Sequence, residues 1–370
     1  MSDSNKLNLV LVVDSLAGGG AEKVVIELAR AINEIGHNAI LLSLTKNTTY
    51  DVPNDLAVYF LYEERKKALH RSWARKRHAQ KLLTIFAEIE DRFGKINVIF
   101  SNLDYSHYVV SACNLPNVYY VVHNAVKQTL ERSKKMGPLK WLRQKRLFSA
   151  LDDKKLITVS DGLKDEVQSL SLFTPKHVTR IYNPFNILKI RRLAAQTNAA
   201  IPESPYIIHI GRFAKQKRHD VLFSALDHLP DEIKLVCLGA NQQGIQRLAE
   251  KMGVAERIII PGFQQNPYPW VKQAKCLVLS SDFEGLSMVL AEALICQTPV
   301  VSTDCPYGPS ELLTGSLSDL LVPVGDADAL AEKLKSVLNH PRKIAPDFLH
   351  HLDHRQIAQQ YVNLSKMEID

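Results

Sequence analysis

Residues 276–292 read Cys276-Leu277-Val278-Leu279-Ser280-Ser281-Asp282-Phe283-Glu284-Gly285-Leu286-Ser287-Met288-Val289-Leu290-Ala291-Glu292. The apolar run 276–279 has the length and composition of a strand buried on both faces, and a loop and a helical pattern follow it directly. A strand that hands its carboxyl end to a helix is half of a βαβ unit, the building block of parallel sheets. Similar short runs recur on both sides: 7–13, 39–42, 98–100, 118–122 and 156–159 in the first half, then 207–210, 235–238, 258–260 and 300–302 in the second. Helical patterns separate them, which predicts two doubly wound α/β sheets in succession.

At 370 residues the chain exceeds one ordinary core, since domains typically run to about 100–200 residues. Residues 184–205 hold no convincing strand, carry prolines at 184, 202 and 205, and include the polar stretch 196–198. They read as the connection between domains. The expected division is an N-terminal Rossmann-like domain over 1–186, a C-terminal Rossmann-like domain over 187–352, and a C-terminal helix over 353–370 that returns to the N-terminal domain.

Composition is that of a globular protein, 46% hydrophobic and 23% charged. No stretch approaches the roughly 20 apolar residues of a membrane-spanning helix, and the apolar run 9–13 lacks the basic leader and cleavage site of a signal peptide. The expectation is a cytoplasmic protein. The five cysteines are odd in number and widely spaced, fitting neither a disulfide framework nor a zinc site. A net charge of +7 invites an anionic partner.

Three loops carry chemistry. Gly18, Gly19 and Gly20 stand between the first strand and a helix, where glycines let backbone amides approach a phosphate or sugar; a simple tight turn is the lesser reading. No G-x-G-x-x-G is present, which argues against a nicotinamide dehydrogenase. Gly211, Arg212, Lys215, Lys217 and Arg218 cluster after the strand at 207–210, where a planar guanidinium and a compact ammonium can hold a diphosphate; taken alone, a basic loop is more often solvated surface. Glu284 precedes a helix and Glu292 lies eight residues on, at most about 12 Å away along the axis. Two carboxylates at that separation suit one extended ligand, each accepting from vicinal hydroxyls. Glu292 lies among Leu290, Ala291, Ala293, Leu294 and Ile295, where an unpaired carboxylate would be costly.

This segment resembles the Glu-x7-Glu motif of retaining glycosyltransferases of family four, also called glycosyl transferases group 1, and the chain is similar to bacterial lipopolysaccharide and polysaccharide glycosyltransferases. Other positions match in order: Gly18–Gly20 with Ala21-Glu22, His123 at a strand end, Val159-Ser160, Asn183-Pro184, Gly211-Arg212 through Lys217, and Gly308-Pro309-Ser310-Glu311. The resemblance spans nearly the whole chain and implies the GT-B architecture, two Rossmann-like domains facing a cleft. It implies that Arg212 and Lys217 grip the donor diphosphate, Glu284 holds sugar hydroxyls, Glu292 holds the ribose, and His123 meets the transferred sugar. Gly19, Gly20, Gly211, Gly285, Leu286 and Ser287 would line the donor, and Phe263, after Pro261-Gly262, the wall of the base pocket. The chain departs from the family in two places: Arg218 stands where a glycine usually follows the loop lysine, and Gly239-Ala240-Asn241 replaces a Gly-acid-Gly turn.

Residues 65–81 and 132–146 concentrate Lys and Arg around Trp73 and Trp141, and both runs lie in the N-terminal half. No helix-turn-helix, finger or RNA-binding pattern accompanies them, so nucleic acid is not expected. Basic residues interleaved with tryptophan suit an anionic membrane surface, with Arg75, Lys76, Arg77, Lys140, Arg143 and Lys145 as the expected contacts; a merely solvated charged face is the other reading. The combined expectation is a metal-independent, retaining glycosyltransferase without a cofactor. It would move a sugar, expected to be UDP-linked, to a lipid-linked or lipopolysaccharide-type glycan at the inner face of the cytoplasmic membrane. Two alternatives share the fold: a sugar-nucleotide epimerase or hydrolase, and a catalytically silent membrane-associated partner protein.

Overall fold

The computed structural model describes residues 6–17, 19–47, 54–64, 69–239 and 241–366. The chain forms two compact units: Met1–Pro184 together with Leu352–Asp370, and Phe185–His351.

The first unit is a seven-stranded sheet in the order β3-β2-β1-β4-β5-β6-β7. Its strands are β1 (Asn8–Val13), β2 (Asn38–Ser43), β3 (Ala57–Phe60), β4 (Val98–Asn102), β5 (Val118–Val122), β6 (Lys155–Thr158) and β7 (His177–Arg180), and every pairing is parallel. The central strands are continuous apolar runs because helices cover both faces. Helix α1 (Gly20–Glu34) turns Val24, Val25, Leu28 and Ile32 inward. The tail supplies α14 (His354–Lys366), which packs on α1. His354 Nε2 lies 2.8 Å from Glu34 Oε2, and the Tyr361 ring meets the Phe100 ring edge-on at 4.9 Å.

The second unit is a six-stranded parallel sheet in the order β10-β9-β8-β11-β12-β13. Its strands are β8 (Tyr206–Ile210), β9 (Lys234–Leu238), β10 (Ile258–Gly262), β11 (Cys276–Leu279), β12 (Val300–Thr303) and β13 (Leu321–Val322). Both sheets reverse their winding once, between β1 and β4 and between β8 and β11. Ligands of open α/β sheets bind at the carboxyl ends of strands beside such reversals.

Two readings of the sequence need correction. The strands it missed, β3, β7 and β13, lie at sheet edges and are short: β7 buries only Val178 among His177-Val178-Thr179-Arg180, β13 has two residues, and β3, Ala57-Val58-Tyr59-Phe60, is an apolar run of four that is only half-buried. The stretch 184–205 is not a bare connection either. It contains α7 (Ile187–Ala194), whose Asn186 side chain accepts from the Lys189 amide at 3.0 Å and whose Ile187, Ile190 and Ala194 are buried. Helix α7 packs in the second unit against α10 (Tyr268–Gln273) and α11 (Met288–Ile295).

Candidate active site

In the second unit the loops after β8 and β11 are stitched together. The Asp282 amide donates to the Gln216 carbonyl at 2.8 Å, Gln216 Nε2 to the Phe283 carbonyl at 2.6 Å, and Ser280 Oγ to the Lys217 carbonyl at 2.8 Å. These contacts present Lys217 to Glu284, and Lys217 Nζ donates to Glu284 Oε1 at 2.7 Å. Both side chains are largely shielded, at 18% and 11% exposure, so water screens the pair little. Arg212, by contrast, is exposed and makes no ion pair among the described residues. A free guanidinium beside a fixed ammonium–carboxylate pair forms a site for an anionic ligand that also carries hydroxyls.

The loop geometry explains several residue choices. Gly239, after β9, has φ +148°, and a Cβ there would collide with the Gly211 carbonyl. Gly308, φ +97°, lets the loop after β12 approach Gly285, whose carbonyl would lie 2.9 Å from a Cβ at that position. Arg218 has φ 47° and ψ 51°, the left-handed region that glycine tolerates and a branched or long side chain does not favour. This accounts for the glycine that the family resemblance expects there. Here the strain is offset by charge: the Arg218 guanidinium takes both carboxylate oxygens of Asp220, at 2.9 to 3.1 Å, and Asp282 at 2.9 Å. Asp282 is two residues from Glu284, so Arg218 braces the same loop.

Glu284, Gly285, Leu286 and Ser287 lead into the amino end of α11. Ser287 Oγ is buried and has no hydrogen-bond partner among the described residues, as expected of a group whose partner is a ligand. Glu292 lies two turns further on, buried, and accepts from Tyr268 Oη at 3.2 Å. Its carboxylate is therefore not the lone charge that the surrounding apolar residues suggest. Phe263 follows β10 and is 58% exposed.

The first unit has its own group at the β1/β4 reversal. Gly19 caps α1 and Gly20 begins it; Gly18 lies outside the described residues, as does Ala240 of the turn after β9. Asn102, at the end of β4, donates to the Val12 carbonyl at 3.3 Å, and its Oδ1 lies 2.9 Å from His123 Nε2. Burial pushes the His123 imidazole down to about 4, so it is neutral; Nε2 then donates to Asn102 and leaves Nδ1 as an acceptor, which has no partner among the described residues. Sequence reasoning missed Asp14, directly after β1. Its carboxylate accepts from the Ser106 amide and hydroxyl, both at 2.6 Å, and from the Tyr105 amide at 3.2 Å. Desolvation nevertheless pushes it up to about 7. An acid immediately after a first strand, beside a glycine loop, was the available signal.

The six basic residues expected at a membrane do not form one class. Lys76 and Arg77 on α2 (Ser72–Phe93), and Lys140 and Lys145 on α5 (Pro138–Phe148), are exposed. Arg75 is turned inward: its Nε donates to the Tyr108 carbonyl and a terminal nitrogen to Ser111 Oγ, both at 2.8 Å, and the guanidinium stacks 4.3 Å from the Tyr108 ring centre. It fastens α2 to α3 (Asp104–Val110) and is not available to lipid. Arg143 is half-buried, with its Nε shielded. Arg65, Lys66 and Lys67 of the same basic run lie outside the described residues.

Two doubly wound parallel units with chemical groups at their reversal points are the GT-B class of glycosyltransferase. A model of glycosyl transferases group 1 matches residues 191–354 and one of glycosyltransferase family 4 matches residues 18–187; the chain belongs to this glycosyltransferase family. It is 27% identical over 348 residues to N-acetylgalactosamine-N,N'-diacetylbacillosaminyl-diphospho-undecaprenol 4-alpha-N-acetylgalactosaminyltransferase of Campylobacter jejuni, covering 89% of this chain and 90% of that one. Lipopolysaccharide 1,6-galactosyltransferase of Salmonella typhimurium is 26% identical over 201 residues, covering 52% of this chain and 55% of the relative. Among solved structures, sucrose-phosphate synthase from Thermosynechococcus elongatus superposes with a TM-score of 0.78 at 18% identity, covering 98% of this chain and 99% of that one. HepE of Anabaena, in complex with UDP and glucose, superposes at 0.75 and 17% identity, covering 98% and 100%. At such identities these structures bear on the fold alone.

Proposed function

We propose that the protein is a retaining, metal-independent glycosyltransferase that moves a sugar from a UDP-sugar to a hydroxyl of a lipid-linked or lipopolysaccharide-type glycan. The observation that carries this reading is the shielded Lys217–Glu284 pair at 2.7 Å beside the unpaired Arg212, at the β8/β11 reversal. Arg212 and Lys217 supply positive charge where a diphosphate leaving group gains negative charge, the role a divalent cation fills elsewhere. Glu284, as a carboxylate already oriented by Lys217, accepts from sugar hydroxyls, and the Ser287 hydroxyl and the amino end of α11 face the phosphates. Glu292 would hold the ribose, with Tyr268 fixing its rotamer. The acceptor hydroxyl would attack from the face the diphosphate leaves, a donor phosphate oxygen taking its proton.

The acceptor class draws support from the relatives, whose names describe transfer to a diphospho-undecaprenol-linked saccharide and to lipopolysaccharide. A peripheral location on the inner face of the cytoplasmic membrane fits such an acceptor. Among the described residues no helix is long and apolar enough to cross a membrane. The test is incubation with a panel of nucleotide sugars and defined polyprenyl-diphosphate saccharides in the presence of EDTA, with products weighed and their anomeric configuration read by NMR. A single hexose added with the donor's configuration is expected. Donor consumption without an acceptor product would make the protein a hydrolase or epimerase, and an inverted product would overturn the retaining mechanism.

A further inference from the structure

Helices α4 (Val126–Lys135) and α5 form a hairpin whose tip the transfer chemistry does not use. Gly137, at φ +113°, makes the turn between them. Large apolar side chains stand in solvent at this tip: Leu139 is 82% exposed, Met136 52% and Leu142 50%. Leu139 and Leu142 are three residues apart and share one face of α5, while Leu147 and Phe148 are buried toward the core. Lys140, Lys145 and Arg146 are exposed alongside, and Lys145 Nζ lies 5.3 Å from the Trp141 ring centre. Between residues 126 and 148, Glu131 is the one acidic residue against eight Lys and Arg.

The surface continues onto the start of α2. Gln144 of α5 donates to Asp104 at 2.6 Å, and the His70 ring, two residues before α2, lies 6.3 Å from the Tyr105 ring, so α5 and the α2 amino end both adjoin the start of α3. Trp73 on that end is 71% exposed. Isolated exposed leucines are unremarkable in a soluble protein, but a tryptophan, two leucines and a methionine ringed by cations are an interfacial composition. Nucleic acid would engage the cations and gain little from Leu139 and Leu142. Helix α5 is about 16 Å long, enough to lie in a headgroup layer and too short to cross one.

We infer that the α4–α5 hairpin seats the first unit on an anionic lipid bilayer, with Met136, Leu139 and Leu142 at the acyl boundary and Lys140, Lys145 and Arg146 at the lipid phosphates. The inference takes its purpose from the lipid-linked acceptor proposed above and gives that acceptor its surface. Unlike a patch of charge alone, the hairpin binds by apolar contact as well, so removing the leucines and removing the cations are separable tests.

The experiment is flotation of the full chain with vesicles of phosphatidylethanolamine and phosphatidylglycerol, against vesicles of phosphatidylcholine alone. Wild type floats with the anionic vesicles, less so as salt rises, and not with phosphatidylcholine. Leu139→Glu/Leu142→Glu and Lys140→Gln/Lys145→Gln/Arg146→Gln each lower the bound fraction by more than about tenfold. Thermal unfolding and transfer to a short water-soluble acceptor stay unchanged in both variants. Either variant floating like wild type, no flotation of wild type at low salt, or a dimer of the free protein that dissociates in the leucine variant would overturn the inference. Wild-type flotation lost in both variants, without transfer to any polyprenyl-linked acceptor, would support the docking surface and overturn the acceptor reading instead.

Discussion

The two sheet reversals are built alike and charged differently. In the second unit, the loops at β8 and β11 hold the ion pairs Lys217–Glu284 and Arg218–Asp282 and, beside them, the free Arg212. In the first unit, the corresponding strands β1 and β4 end at Asp14 and Asn102, with His123 neutral and Asp14 itself pushed up to about 7. The two reversals therefore offer a cradle of paired charges in one unit and a mainly hydrogen-bonding one in the other. The first suits the anionic half of a nucleotide sugar, and the second suits a sugar's hydroxyls, which donate and accept without charge.

The largest effects should come from removing charge at the second unit's reversal. Lys217→Ala and Glu284→Gln are each expected to lower turnover by about a hundredfold or more, whereas His123→Gln, which keeps a neutral hydrogen-bonding side chain, should lower it by less. Steady-state kinetics on the three variants checks the ordering, and equal losses would erase the contrast between the units. Lys217→Ala also strands a shielded carboxylate and should destabilise the second unit by on the order of 3 kcal/mol, seen as a lower unfolding midpoint that Glu284→Gln does not share.

Arg218 sharpens the comparison at a smaller scale. Arg218→Ala loses both carboxylate partners and keeps the left-handed backbone, while Arg218→Gly loses the partners and relieves it. Denaturant titration should find the glycine variant more stable than the alanine variant by about 1 kcal/mol. Equal stabilities would mean that the backbone at 218 carries no strain.

The first unit should betray the Asp14 carboxyl through pH. The Asp14 carboxyl titrates near 3.8 in an unfolded chain and near 7 when folded, so the folded state holds the proton more tightly. Its contribution is fully present below about pH 4, is lost as pH rises to about 7, and is flat above that. Asp14→Asn cannot ionise and should flatten this decline, so that its unfolding midpoint falls less than that of wild type between about pH 4 and pH 7. A pH profile unchanged by the substitution would place the Asp14 titration elsewhere.

Much of the framework was legible in the sequence because central strands of a parallel sheet are continuous apolar runs, and β1, β2, β4, β5, β8, β9, β11 and β12 stand out on that ground. Edge strands β3, β7 and β13 did not: polar residues interrupt β7, β13 is two residues long, and the four apolar residues of β3 form a run too short to stand out. Helix α7 was hidden between Pro184 and the polar 196–198 although its apolar face was present. The loops that carry Arg212, Lys217, Glu284 and Ser287 were legible from their residue types, whereas the Lys217–Glu284 contact joins residues 67 apart and no local pattern records it. The inward turn of Arg75 was likewise illegible: within a run of basic residues, only the position of Tyr108 and Ser111 across α3 distinguishes a fastener from a surface charge.

The central claim is that the second unit's reversal binds a nucleoside diphosphate through Arg212 and Lys217 without a metal. Calorimetric titration of UDP into the EDTA-treated protein tests it most directly, with Arg212→Ala/Lys217→Ala as the comparison. The account predicts saturable binding to wild type that weakens by more than about tenfold in the double variant, since each lost charged hydrogen bond contributes about 1.5–3 kcal/mol. Equal affinity in the two proteins, or binding to wild type only after magnesium or manganese is added, would contradict it.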